Sequence, residues 1–294
     1  MSYLYICNTA SDNISVINMM KFTETYKIKL GNEENSRVGP HGICQYRNNL
    51  IVANNYSNDL SLVDTECGSV IDNFFIGMHC NDVKVYNSSA YVICGDSNKI
   101  VVLNMNSFKV EQQIPCGNFP HSLDICFKEK IMVTADLCSD SITVGNCANF
   151  NNLQLLKVGQ YPTKAVFTSD GEYIVVCESN IGSDCNGSVR VISVKNMRHI
   201  GSIAVGRCPV DMYCEGYLCY VSNFGDGTIS IVDISKGAMI ANIHTGGMPR
   251  GIIKHGHYLY VGDNYNNEVI QVNTQNLIKK SISIGREPTG MISY

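Results

Sequence analysis

Gly206-Arg207-Cys208-Pro209 opens a stretch that continues with an apolar run over 210–213, the polar turn Cys214-Glu215-Gly216-Tyr217, a second apolar run over 218–221, and Ser222-Asn223. Read as chemistry, this is a turn, a strand, a tight hairpin, a returning strand and an amide where that strand stops. The same passage recurs along the chain. Gly117-x-x-Pro120, Gly159-x-x-Pro162, Gly246-x-x-Pro249 and Gly285-x-x-Pro288 open in the same way, as does Pro40 after Gly39. Six of the seven prolines occupy this one place, and Cys80 fills it after Gly77. Successive openings are 40, 40, 42, 47, 40 and 39 residues apart. A unit of about 40 to 45 residues is the size of one propeller blade of four short strands. Proline lacks the N–H a ladder needs, and the first residue of a strand is one of the few places a sheet accepts it.

Seven openings predict an all-β fold, a seven-bladed β-propeller with four antiparallel strands per blade, in which residues 1–294 make one domain. The apolar runs are about five residues long and bounded by turn residues, and no window of helical period competes. The second strands read Leu4-Tyr-Ile-Cys-Asn8, Leu50-Ile-Val-Ala-Asn54, Met132-Val-Thr-Ala-Asp136 and Ile174-Val-Val-Cys-Glu178, among others. The first unit begins at its second strand and the chain ends with a lone first strand. Residues 289–294 are therefore expected to complete the blade begun by residues 3–30, which removes two exposed sheet edges.

Tyr220-Val221-Ser222-Asn223 and Tyr260-Val261-Gly262-Asp263, together with the Gly-x-x-Pro openings, closely resemble the signature of the YVTN-repeat propellers. The resemblance covers all seven units. It implies the propeller fold, and it leaves function open between lactonase-like enzymes, surface-layer proteins and exported proteins of unknown role. Members are often exported, and this chain departs from them at its N-terminus. The absence of Trp separates it from WD40 propellers.

Composition narrows the partners. A net charge of −4 and a pI near 6.0 exclude a generally basic nucleic-acid surface. No apolar run is long enough to span a membrane. The opening Met1-Ser2-Tyr3-Leu4 has neither a charged nor an apolar leader region, so a cytoplasmic setting is expected. The 14 cysteines show no C-x-x-C and no zinc spacing, and several fall at buried strand positions. They read as reduced thiols.

Candidate binding residues follow from strand order. The first strand starts at the Gly-x-x-Pro turn and the second ends beside it, so both lie on one face with the loop that follows. The residues after each opening are expected to crowd the mouth of a central channel there: His41, Asn81, Asp82, His121, Ser122, Lys164, Asp211 and Arg250. Both charge signs in one place suit a small polar or anionic ligand, or a protein partner. The alternative is that these groups pair with one another or with backbone. A lactonase-like hydrolase is the second functional reading, with a divalent metal held by His41, His121, Asp82 and Asp211. Nucleophilic chemistry at Cys80 or Cys208, with Lys164 or Arg250 lowering a thiol pKa, competes with the plainer account that Cys80 simply replaces a proline. The third functional reading, implied by the family resemblance, is a structural or surface protein, and the N-terminus counts against it. The longer loops Gly31 to Gly39, with Glu33 and Glu34, and Glu178 to Ser188, with Asp184 and Cys185, fall on the same face. The Asn/Asp/Glu residues ending the second strands are expected to serve turns.

Overall fold

Val, Ile and Tyr make these runs strands because side chains of that shape pack well on a pleated surface. The computed structural model describes residues 2–31 and 37–294, so Glu33 and Glu34 lie outside the described residues. Among the described residues there are 28 strands and one short 3-10 turn, Thr9–Ser11. They form seven sheets of four antiparallel strands, the blades of a seven-bladed β-propeller. Pro40–Tyr46, Asn49–Asn54, Asp59–Asp64 and Ser69–Phe75 make one blade in that order. The terminal blade takes strands from both chain ends: Pro288–Ser293 pairs with Tyr3–Asn8, which pairs with Asn13–Asn18 and then Thr23–Lys29.

The chain divides into two compact units. One comprises residues 1–97, 101–113 and 250–294, and the other 98–100 and 114–249. Apart from a few boundary residues, the first carries the blades opened by Pro288, Pro40, Cys80 and Pro249, and the second those opened by Pro120, Pro162 and Pro209.

Within each unit the core lies between neighbouring blades. Along Tyr3–Asn8, Leu4 and Ile6 join one buried cluster with Ile17, Tyr260 and Val269, while Tyr5 and Cys7 join another with Leu50, Val52 and Val63. Ile51 and Ala53 face the opposite way from Leu50 and Val52 and pack on Val83, Val92 and Val101. Alternate residues thus serve two neighbours, which is why these runs are apolar throughout instead of alternating. In the other unit Val133, Ala165 and Val176 pack together, as do Val175, Val189 and Val221. Outer strands such as Thr23–Lys29 are largely exposed and correspondingly polar. No helix among the described residues is long and apolar enough to cross a membrane.

The cysteine expectation needs one correction. Cys214 and Cys219 are directly opposed in the hairpin Pro209–Glu215/Leu218–Asn223 and are joined as a disulfide. The other 12 are free, and Cys7, Cys94 and Cys177 are fully buried as expected.

Candidate functional site

The opening of each first strand shapes the site through the ladder. Pro40 pairs with Asn54, but the next pair is Gly42 with Ala53, so His41 is skipped. The same slip skips Asn81, His121, Thr163 and Val210. A bulge leaves one residue unpaired and re-aims its side chain. The candidate residues are therefore the bulged ones and those that follow them.

In the first unit the His41 ring reaches the adjacent blade, with Nδ1 2.8 Å from the Asn81 carbonyl. A carbonyl only accepts, so Nδ1 carries the proton and Nε2 is left as an acceptor. Arg250 donates to it, with Nη2 3.0 Å from Nε2. His41 is thus held neutral between a carbonyl and a guanidinium. Behind it, Asn55 Nδ2 donates to Asn81 Oδ1 at 2.8 Å, and Asn81 is fully buried. Asp82 is buried beside them, and its carboxylate accepts the Val83 N–H at 2.9 Å. Gly42 is required here, because a Cβ would come within 2.6 Å of the Asp82 Cα.

In the second unit His121 Nδ1 makes the equivalent bond to the Thr163 carbonyl, at 2.8 Å. Thr163 passes the pattern on by donating to the Pro209 carbonyl at 2.8 Å. Ser122 accepts the Ala165 N–H at 3.0 Å. Lys164 and Asp211 form an ion pair at 3.0 Å, largely shielded from solvent. The structure thus brings His41, Asn81, Asp82 and Arg250 together in one cluster, and His121, Ser122, Lys164 and Asp211 in another. Each cluster latches neighbouring blades as well as presenting charge. Among the described residues no three His, Cys, Asp or Glu side chains are grouped so as to hold a metal ion.

Sequence reasoning missed Thr9 and Asn55, which follow the terminal amides Asn8 and Asn54. Thr9 Oγ1 donates to the Pro40 carbonyl at 2.7 Å. Their position beside the ring of second-strand ends was the available signal. That ring does serve turns and ladders. Asn8, Asn54 and Asn223 each donate to a Ser seven residues on, and Asp263 accepts the N–H groups of Tyr265 and Asn266. Glu178 is buried and held by Arg190, Ser188 and the Gly159 N–H.

A nucleophilic role for Cys80 finds no support, and the plainer account, a cysteine in the proline's place, fits its surroundings. The thiol is fully buried, and a hydrogen bond with Cys94, together with burial, drives its pKa up, the reverse of what a thiolate needs. Cys208 is partly exposed and accepts from Ser179 Oγ at 3.4 Å.

Comparison with known proteins agrees with the fold. No family model matches the chain, and no curated protein does. Among solved structures it is similar to hydrazine synthase of Kuenenia stuttgartiensis, with a TM-score of 0.80 and 18% identity over 93% of this chain and 92% of that one. A functionally unknown protein from Desulfotomaculum acetoxidans DSM 771 superposes with a TM-score of 0.81 at 13% identity, over 99% and 98% of the two chains. The dihydro-heme d1 dehydrogenase NirN, solved in complex with DHE, gives 0.71 at 15% identity; 96% of this chain spans 63% of that one. At these identities the likeness is one of fold.

Proposed function

We propose that the chain is a binding module of the YVTN-repeat propeller type that takes a small polar anion at the cluster of His41, Asn81, Asp82 and Arg250. One observation carries this reading. A guanidinium is positioned at the edge of a neutral imidazole whose other nitrogen is fixed on the Asn81 carbonyl. The imidazole orients the guanidinium, and the planar fork of Arg suits carboxylate or phosphate. Both side chains are only partly buried, so an incoming anion has access to them. A cytosolic setting belongs to the proposal, supported by the 12 free cysteines.

The test is calorimetric titration of the protein with inorganic phosphate, acetate, citrate and glycerate, beside Arg250→Gln and His41→Ala. Binding by at least one of these anions, weakened about tenfold or more in Arg250→Gln, is expected, the loss of one charge-assisted bond. Equal binding by wild type and Arg250→Gln overturns the reading. So does acid release from a simple lactone that requires a divalent ion, which would establish the hydrolase instead.

A further inference from the structure

One rung of the ladder departs from the repeat in both of its residues at once. Where the first strand of a blade begins, its opening residue faces the last residue of the second strand. The pairs are Pro288 with Asn8, Pro40 with Asn54, Pro120 with Asp136, Pro162 with Glu178 and Pro209 with Asn223. In the blade opened at residue 80 the same rung is Cys80 with Cys94. A proline and a polar cap have been replaced together by two thiols that face each other. Either change alone would only remove a turn device; the pair sets two cysteines directly opposite each other in the ladder.

The same chain shows what such a rung does. Cys214 and Cys219 are also directly opposed across a first-to-second-strand hairpin, and they are joined. Cys80 and Cys94 are free, fully buried, and separated by 14 positions in sequence. Cys80 Sγ donates to the Gly77 carbonyl at 3.1 Å, which keeps the thiol over its own turn.

We propose that Cys80 and Cys94 are a reversible dithiol–disulfide site, oxidised by a low-molecular-weight disulfide such as oxidised glutathione. One of the two thiols loses its proton during local opening, and its thiolate attacks a sulfur of the oxidant, releasing one small thiol. The second thiol, deprotonated in turn, attacks the mixed disulfide and releases the other. The protein loses two electrons and two protons, and the oxidant's disulfide is reduced to two thiols. The bond closes a short loop around the hairpin 80–94, beside Asn81, whose carbonyl holds His41. The site stands independently of the anion reading.

The experiment refolds the protein from urea in buffers of defined reduced-to-oxidised glutathione ratio, then alkylates under denaturing conditions and maps peptides by mass spectrometry. In oxidising buffer a Cys80–Cys94 cross-linked peptide lacking two hydrogens is expected, and dithiothreitol should return both residues to alkylation. The double variant Cys80→Pro/Cys94→Asn restores the rung of the neighbouring blades, should refold, and should show no cross-link there. Complete alkylation of both thiols in natively refolded protein at every glutathione ratio overturns the proposal. So does pairing of Cys80 or Cys94 with other cysteines in preference to each other.

Discussion

Thr289 Oγ1 lies 2.9 Å from Thr9 Oγ1, although 280 residues separate them in the chain. Thr9 donates to the Pro40 carbonyl, and Tyr3 N and Tyr294 N each bond the other residue's carbonyl at 2.8 Å. The last strand is thus stitched to the first along its length and at both ends. Removing residues 289–294 would uncover the edge of Tyr3–Asn8 and the apolar side chains packed on it. Loss of cooperative thermal unfolding, or aggregation on expression, is expected for the truncated chain. A melting curve unchanged from the full-length protein would show that the blade does not need its C-terminal strand.

Gly251 and Gly290 lie where two first strands come closest. A Cβ on Gly251 would overlap the Thr289 carbonyl oxygen, and one on Gly290 the His41 carbonyl oxygen. Backbone cannot give way as a side-chain tip can. Gly251→Ala should therefore cost about 2 kcal/mol or more, as overpacking of a close-packed core does. Gly201→Ala is the control, since nothing lies near its Cβ, and that variant should be close to neutral. Urea midpoints for the two variants check this, and equal midpoints would refute the close approach.

These cases show why the fold was readable from the residues and much of the site was not. Proline's missing N–H acts within one strand, so its period of about 40 residues exposes the blades directly. The residues behind each opening could be named from that period alone: His41, Asn81, His121 and Thr163, all skipped by the ladder, the one behind Cys80 included. Their partners could not, because the Asn81 and Thr163 carbonyls belong to the next blade, and only the close packing of first strands brings them within reach. The Cys214–Cys219 bond was legible in principle. The two residues are symmetric about Gly216-Tyr217, and a two-residue hairpin turn would have placed them opposite each other. Counting cysteines by compartment obscured it.

Lys164 and Asp211 pair at 3.0 Å with side-chain exposures of 22% and 19%. Asp211 also accepts the Met212 N–H at 2.9 Å, which limits its rotamers. With about a fifth of each side chain still exposed, the pair stays within reach of salt and should couple modestly. A double-mutant cycle with Lys164→Ala and Asp211→Ala is expected to give about 1 kcal/mol, falling as salt rises. A coupling that does not change with salt would mean that the pair is sealed from solvent.

Asp136 carries a carboxyl where Asn8, Asn54 and Asn223 carry an amide. It is fully buried, and burial pushes its pKa up from 3.8 to about 6, against hydrogen bonds from Thr134, Thr143 and Ser141 that pull it down. The folded value therefore exceeds the unfolded one. The stability this group contributes is present in full below about pH 3.8 and is lost as pH rises through about 6. Asp136→Asn removes that dependence. Its Nδ2 would donate to Thr143 Oγ1, which now donates to the carboxylate at 2.7 Å, and this reproduces the bond that Asn8 makes to Ser15. Relative to wild type the variant should gain on the order of 3 kcal/mol between pH 4 and pH 7, from the size of the shift. Urea unfolding of both proteins at unit pH steps measures the difference. Parallel profiles across that range would mean that Asp136 ionises as readily in the folded blade as in the unfolded chain, and that its hydroxyl partners fully offset its burial.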